Sequence, residues 1–217
     1  MNTKEHWEGV YENNSIEDLG WFRPRLEISL EWIREYAPGK DASIIDVGGG
    51  ASSLIDDLAV EFSGPLAVVD ISGKALGISR ERLGRHGKNI TWIDGDITSV
   101  PLPKNAYDFW HDRAVFHFLR SDEEQNLYKQ NLLRALKPGG HILLGAFSPE
   151  APPRCSGLPV ERYTREKIDE SLGVEFQLRK HAKELHVTPG GVEQMYLYCL
   201  FQRSSPFSSE DKSKMAN

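Results

Sequence analysis

The segment from Ile44 to Leu54, I-I-D-V-G-G-G-A-S-S-L, limits more than any other what this chain can fold into. A short, largely apolar run enters three successive glycines, and a helical pattern starts at Ser53. An apolar run of that length reads as a strand buried on both faces. The glycines after it let the backbone turn tightly and approach a ligand with no Cβ in the way. Strand, glycine turn and helix together open a βαβ unit.

The alternation then repeats. With Ser43 to Val47 as the first strand, Leu66 to Asp70, Ile90 to Asp94, Tyr107 to His111 and His141 to Phe147 read as further strands. Ser53 to Phe62 and Gly73 to His86 read as helices between them. Another helix opens at the capping box Ser121/Glu124 and is expected to stop at Lys137-Pro138-Gly139-Gly140. Right-handed crossovers turn this order into an α/β, Rossmann-like doubly wound sheet. The end departs from it: Thr164 to Leu172 reads as a short helix. Val174 to Glu184 and Glu193 to Gln202 are then two strands around the turn Thr188-Pro189-Gly190-Gly191, placed to pair antiparallel. Before the sheet, Trp7 and Tyr11 stand four apart and share a helix face. Pro24 is expected to open a second helix carrying Leu26, Leu30 and Ile33, stopped by Pro38-Gly39.

Composition excludes several function classes. Among 217 residues, 39 % are hydrophobic and 27 % charged, enough for a sizeable core. The net charge of −6 argues against nucleic acid as a partner. Cys155 and Cys199 are far apart in no metal-ligand spacing, so neither a metal site nor a disulfide framework is expected. No stretch approaches the ~18 continuous apolar residues of a membrane span. The polar start, Met1 to Glu8, does not read as a secretory signal, and a reducing cytoplasm fits best.

The glycine turn admits two readings. A dinucleotide fingerprint needs G-x-G-x-x-G under a pyrophosphate. Here Gly48-Gly49-Gly50 is followed by Ala51, Ser52 and Ser53, and Asp46 stands two residues before the first glycine. That carboxylate would repel a pyrophosphate and attract an ammonium. S-adenosylmethionine offers one, with a sulfonium and no phosphate. Asp70, ending the second strand, suits both ribose hydroxyls, with Ile71 beside it. Asp96 suits the adenine amino group, and Ile97 its ring. The three acids stand at the carboxyl ends of successive strands, which this fold gathers at one crevice.

With I-I-D-V-G-G-G, V-V-D at 68–70, D-G-D-I at 94–97, Y-D-F-W-H-D-R-A-V-F-H-F-L at 107–119 and L-K-P-G-G at 136–140, the chain resembles the class I S-adenosylmethionine-dependent methyltransferases. One departure is Ser52, where that family often has a third glycine. The resemblance implies seven strands in the order 3-2-1-4-5-7-6 with strand 7 antiparallel. It also implies an N-terminal helical segment closing over the cofactor. The expected organisation is one domain over 1–203, with a lid over 1–38, a core over 43–203 and a disordered tail over 204–217.

Methyl transfer from a sulfonium is an in-line displacement, so positioning can supply much of the catalysis. A base is needed only when the nucleophile arrives protonated. His111 is the candidate base or cofactor contact, and Asp112 a cofactor anchor. Trp7, Tyr11 and Trp21 are expected to form the lid against the sulfonium. Phe22, Arg113, Cys155, Arg162 and Tyr163 are the candidate acceptor contacts, Cys155 and Arg162 from the proline-rich loop Ser148 to Arg162 after the fifth strand. The leading function is methyl transfer to a small molecule. Alternatives are a protein lysine or N-terminal methyltransferase, favoured by an open acidic groove, and a non-catalytic S-adenosylmethionine-binding protein. A dehydrogenase fits least.

Overall fold

The computed structural model describes residues 3–205. Seven strands form one sheet: β1 (Ile44–Val47), β2 (Leu66–Asp70), β3 (Ile90–Asp94), β4 (Tyr107–Arg113), β5 (Leu136–Phe147), β6 (Phe176–Val187) and β7 (Glu193–Arg203). Their order is β3-β2-β1-β4-β5-β7-β6. The first five are parallel, β7 runs antiparallel to β5, and β6 pairs antiparallel with β7. The strand order expected from the resemblance is the order observed.

Period-two alternation divides the core between two faces of the sheet. Ile44, Val68, Phe109 and Leu143 pack on one face with Leu30 and Ile33 of α2 (Glu27–Tyr36), Leu54 and Leu58 of α3 (Leu54–Glu61) and Leu76 of α4 (Gly73–Leu83). Ile45, Val69, Trp110 and Leu144 face the other way, onto Tyr128 and Leu132 of α5 (Asp122–Ala135) and Ile168 of α6 (Arg165–Leu172). All four β1 residues are buried, as a central parallel strand requires. Helix α1 (Lys4–Asn13) buries no residue fully and lies across the end of α4. Its Glu8 accepts from the Gly73 amide at 2.8 Å, and Lys4 donates to Asp94 at 2.5 Å. The carboxylate of Glu8 thus meets the amide end of α4, where the helix dipole favours an anion.

Several boundaries differ from expectation. Helix α2 starts at Glu27, three residues after Pro24. Helix α4 stops at Leu83 because Gly84 takes φ +51°, and His86–Asn89 forms a separate 3₁₀ turn. Lys137-Pro138-Gly139-Gly140 is no gap between helix and strand: α5 ends at Ala135 and β5 begins at Leu136. The register against β4 shifts between Tyr107 and Phe109, and Gly139 takes φ +79°. The Asn105 and Ala106 amides, leading into β4, take the last carbonyls of α5, Arg134 and Ala135, at 2.8 Å each. Strand β4 runs on to Arg113, and β6 spans 176–187 instead of 174–184. Of the tail expected from 204, Ser204 donates to the Glu175 carbonyl at 2.8 Å, and 206–217 lie outside the described residues. Among the described residues, no helix is long and apolar enough to cross a membrane.

Candidate active site

The carboxyl ends of β1, β2 and β4 meet at the glycine turn. The Gly48 amide donates to the Val69 carbonyl at 2.7 Å, tying the turn to β2. Gly48 takes φ +67°, and a Cβ there would overlap Val115 Cγ2. On Gly49 a Cβ would overlap the carboxylate of Asp46, and on Gly50 it would stand 2.6 Å from Asp70 Oδ2. Ser79 Oγ donates to the Gly50 carbonyl at 2.6 Å and pins the turn to α4. The turn therefore has a fixed shape that only glycine permits.

Two adjoining cavities open there. The larger, about 730 Å³ with its solvent-open part, is lined by Trp7, Tyr11 and Trp21, by Asp70 and Ile71, by Asp96 and Ile97, and by Cys155. The smaller, about 460 Å³, is lined by Phe22, Asp46, Gly49 and His111. Tyr11, Trp21, Gly48 and Arg113 belong to both walls. Val115, Phe118 and Leu119 also line the larger cavity and were not singled out in the sequence. Their signal was the apolar stretch after β4, which reads equally well as core. Trp7 meets Trp21 edge-on at 5.6 Å and Phe118 at 5.1 Å, so the N-terminal helix presents its aromatic face to the site.

The acids differ in their surroundings. Asp46 is buried; its Oδ1 lies 2.6 Å from His111 Nδ1, and its Oδ2 has no hydrogen-bond partner. Asp70 Oδ1 accepts from the Ser72 amide at 2.8 Å. Burial, with the charges of Asp46 and Asp94, raises its pKa to about 7 despite that bond. Asp96 Oδ1 accepts from the Thr98 amide and hydroxyl at 2.8 and 2.7 Å.

The structure gives five of the expected residues other partners. His111 is engaged at both ring nitrogens: Nδ1–H donates to Asp46, and Nε2 accepts from Ser29 Oγ at 2.9 Å. Asp112 lines neither cavity. Its Oδ1 accepts from the Val115 and Phe116 amides at 2.9 and 3.3 Å, and its Oδ2 from Tyr128 Oη at 2.8 Å, so it holds the turn after β4. Gly50 lines neither cavity, and its Cβ position meets Asp70 of β2 and Ala75 of α4. Arg162 reaches the Pro149 and Ala151 carbonyls at 3.1 and 3.2 Å and stabilises its own loop. Tyr163 is buried under α5, where Gln125 Nε2 donates to its hydroxyl at 3.1 Å. Cys155 does reach the site, on a two-residue β-bridge (Arg154–Cys155 with Leu158–Pro159) turned by Ser156 and Gly157 at φ +49° and +77°. Burial raises its thiol pKa to about 11.

A glycine turn with acids at three successive strand ends thus lines two adjoining cavities at the carboxyl edge of a methyltransferase-like sheet. Comparison with known proteins agrees. The family described as "Methyltransferase domain" matches residues 44–140. The ubiquinone/menaquinone biosynthesis C-methyltransferase UbiE of Coxiella burnetii is 33 % identical over 110 residues, covering 48 % of this chain and 42 % of the relative. The protein of that name from Legionella pneumophila is 29 % identical over 143 residues, covering 62 % and 53 %. The chain thus spans about half the length of these curated relatives. Among solved structures, a chain studied for the conversion of a disulfide bond into a thioacetal group during echinomycin biosynthesis superposes with TM-score 0.75 at 18 % identity, covering 99 % of this chain and 98 % of that one. The N-methyltransferase NodS from Bradyrhizobium japonicum, in complex with S-adenosyl-L-homocysteine, gives 0.66 at 17 %, covering 89 % and 90 %. These structural likenesses show the fold. Over residues 44–140 in sequence, and in fold, the chain is similar to the class I S-adenosylmethionine-dependent methyltransferases.

Proposed function

We propose that this protein transfers the methyl group of S-adenosylmethionine to a small-molecule acceptor. One observation carries the reading: the buried, unpartnered Oδ2 of Asp46 stands at the glycine turn, at the wall of a cavity whose neighbour holds Asp70 and Asp96. An unpaired buried carboxylate oxygen is costly, and an ammonium offsets that cost. Asp46 would take the donor's α-amino group, Asp70 its ribose hydroxyls, and Asp96 and Ile97 its adenine. The donor supplies an activated methyl on sulfur, which acts as the leaving group.

The chain's part is orientation and the exclusion of water. Trp7, Tyr11 and Trp21 on the N-terminal segment would act as the lid over residues 43–203, their ring faces turned to the cation. As both His111 nitrogens are engaged, it would act as a positioning residue that holds Asp46. The aromatic walls favour a small molecule over a protein side chain, which would ask for an open acidic groove.

Calorimetry with S-adenosyl-L-homocysteine and with NAD, on the wild type and Asp70→Ala, tests the donor site. Binding of the first alone, weakened in the variant, supports the reading; tighter binding of NAD would refute it. Transfer of labelled methyl to a small-molecule pool, compared with a protein extract, then separates the acceptor classes. Donor binding with transfer to neither would favour a non-catalytic binding protein.

A further inference from the structure

Arg113 ends β4 at the wall shared by both cavities, and its surroundings exceed what a structural arginine needs. Its Nε–H donates to Tyr198 Oη at 2.9 Å and its Nη1–H to the Trp21 carbonyl at 3.1 Å. The guanidinium lies over the Tyr196 ring, 4.2 Å from its centroid. Nη2 is buried with no hydrogen-bond partner. Among the described residues, no carboxylate forms an ion pair with this cation. Glu184, which acts on it electrostatically, accepts from Tyr198 Oη at 3.1 Å and is itself ion-paired with Arg23. Glu184 thus pairs with Arg23 and reaches Arg113 only through the Tyr198 hydroxyl.

Two further unpartnered buried donors stand in the same cluster. The Tyr196 hydroxyl, on the ring beneath Arg113, has no partner. His117 Nδ1 accepts from the Phe147 amide at 3.3 Å, so Nε2 carries the hydrogen, and that atom is unpartnered too. Its ring packs 4.7 Å from Phe147, which packs 5.0 Å from Tyr196. Burial and the charge of Arg113 lower the His117 pKa to about 3, so the ring stays neutral and donates from Nε2 alone. For Arg113 itself, the nearby Tyr196, Tyr198 and Glu184 outweigh the cost of burial and raise its pKa. Every unsatisfied atom in this group is a donor or can be one, and a buried set of that kind is matched by an anion.

The position adds a second argument. If the adenosyl end of the donor fills the larger cavity and its amino-acid end the smaller, the sulfonium falls at the wall they share, beside Arg113. Two cations brought together out of water repel each other strongly. An anionic acceptor between them removes the repulsion and is drawn towards the methyl.

We propose that the methyl acceptor is a small carboxylate, held by the Nη2 edge of Arg113, the member of this donor group that lines both cavities. This rests on the donor reading given above. In the transfer, a lone pair of the acceptor forms the new bond to the methyl carbon while the carbon–sulfur bond breaks. Its electron pair stays on sulfur as a neutral thioether. The carboxylate is the handle that docks the acceptor, whichever of its atoms is methylated.

The test uses protein saturated with S-adenosyl-L-homocysteine, titrated with paired probes: benzoate and benzamide, 4-hydroxybenzoate and its amide, indole-3-acetate and its amide. At least one carboxylate is expected to bind about tenfold or more tightly than its amide, as the loss of a charged hydrogen-bonding partner implies. In Arg113→Met that preference should vanish, with S-adenosyl-L-homocysteine raised as far as needed to keep the variant saturated. Arg113→Lys, which keeps the charge without the planar fork, should recover part of the preference. Amides binding as well as carboxylates, or no carboxylate binding at all, would overturn the proposal. So would a large loss of S-adenosyl-L-homocysteine affinity in Arg113→Met with the carboxylate preference intact, since Arg113 would then serve the donor's own carboxylate. Failure of the wild type to bind S-adenosyl-L-homocysteine is a different result and would sink the donor reading instead.

Discussion

Asp46 and His111 are register partners on the parallel neighbours β1 and β4, joined by a 2.6 Å contact between Oδ1 and Nδ1. Both side chains are buried, and Ser29 of α2 closes the chain at His111 Nε2. One carboxylate oxygen is thereby fixed and the other left facing the glycine turn. The pair is a positioning device made by strand register.

His111→Ala removes that hold and leaves Asp46 and Ser29 buried with a missing partner. It should lower stability and the affinity for S-adenosyl-L-homocysteine by about 1–3 kcal/mol each. Thermal melting and calorimetry read the two losses. If His111 were instead a base, affinity would survive while the rate of labelled methyl transfer at saturating donor collapsed.

Asp70 should make donor binding depend on pH. Its pKa of about 7 means that the free protein carries it largely protonated in mildly acidic solution, with Asp46, Asp94 and Tyr11 as the charged or titratable groups facing it. A diol donates two hydrogen bonds and needs the ionised form. Affinity for S-adenosyl-L-homocysteine should therefore rise from pH 6 to 8, by up to about tenfold per unit below the pKa. A raised carboxyl pKa also means stability that is present below about pH 4 and lost as pH rises through about 7. Asp70→Asn should then melt higher than the wild type at pH 8, converge with it towards pH 4, and show weak, pH-independent ligand binding. A flat wild-type binding profile would contradict this assignment.

The glycines separate cleanly by position. Gly48→Ala would force a Cβ onto Val115 at φ +67°, and should abolish S-adenosyl-L-homocysteine binding. Gly77, exposed within α4 with nothing within 4 Å of a Cβ, should behave oppositely. Gly77→Ala is expected to raise stability by about 0.5–1 kcal/mol and leave binding unchanged. Denaturant unfolding and calorimetry of both variants check the contrast.

Tyr128 is a relay in the core. Its hydroxyl accepts from Trp110 Nε1 at 2.8 Å and donates to Asp112 Oδ2 at 2.8 Å. Burial raises the Asp112 pKa to about 6. Tyr128→Phe leaves both neighbours unsatisfied and should cost about 1–3 kcal/mol in thermal or denaturant unfolding. Because Asp112 also holds the Val115 and Phe116 amides, the turn lining the larger cavity should exchange its amide hydrogens faster in the variant.

Much of this molecule was legible in one dimension. Runs such as I-I-D-V and L-A-V-V-D have the length and apolarity of central strands, and the strand–glycine–helix order at 44–54 predicts a ligand turn. The acids 46, 70 and 96 reach the two cavities because strand ends are a topological property, and topology follows from the order of elements. The capping box at Ser121 was equally local, as was the stop of α2 before Pro38. Boundaries failed where tertiary partners intervened. The L-K-P-G-G stretch reads as a break, yet the sheet absorbs it as a bulge because β4 offers a neighbour on which to continue.

Side-chain roles in H-D-R at 111–113 show where sequence runs out. These three residues follow one another on β4, so their side chains leave on alternating faces of the sheet. His111 meets Asp46 and Ser29, Asp112 meets the turn and Tyr128, and Arg113 meets two tyrosines from β7, more than eighty positions away. No spacing rule contains those partners. The sequence by itself determined the sheet, the glycine turn and the acids at its rim, since these depend on local pattern and element order. Only the tertiary structure decided which polar atoms are satisfied and which are left facing the cavities. That difference depends on contacts between strands remote in the chain, where burial makes each missing partner count.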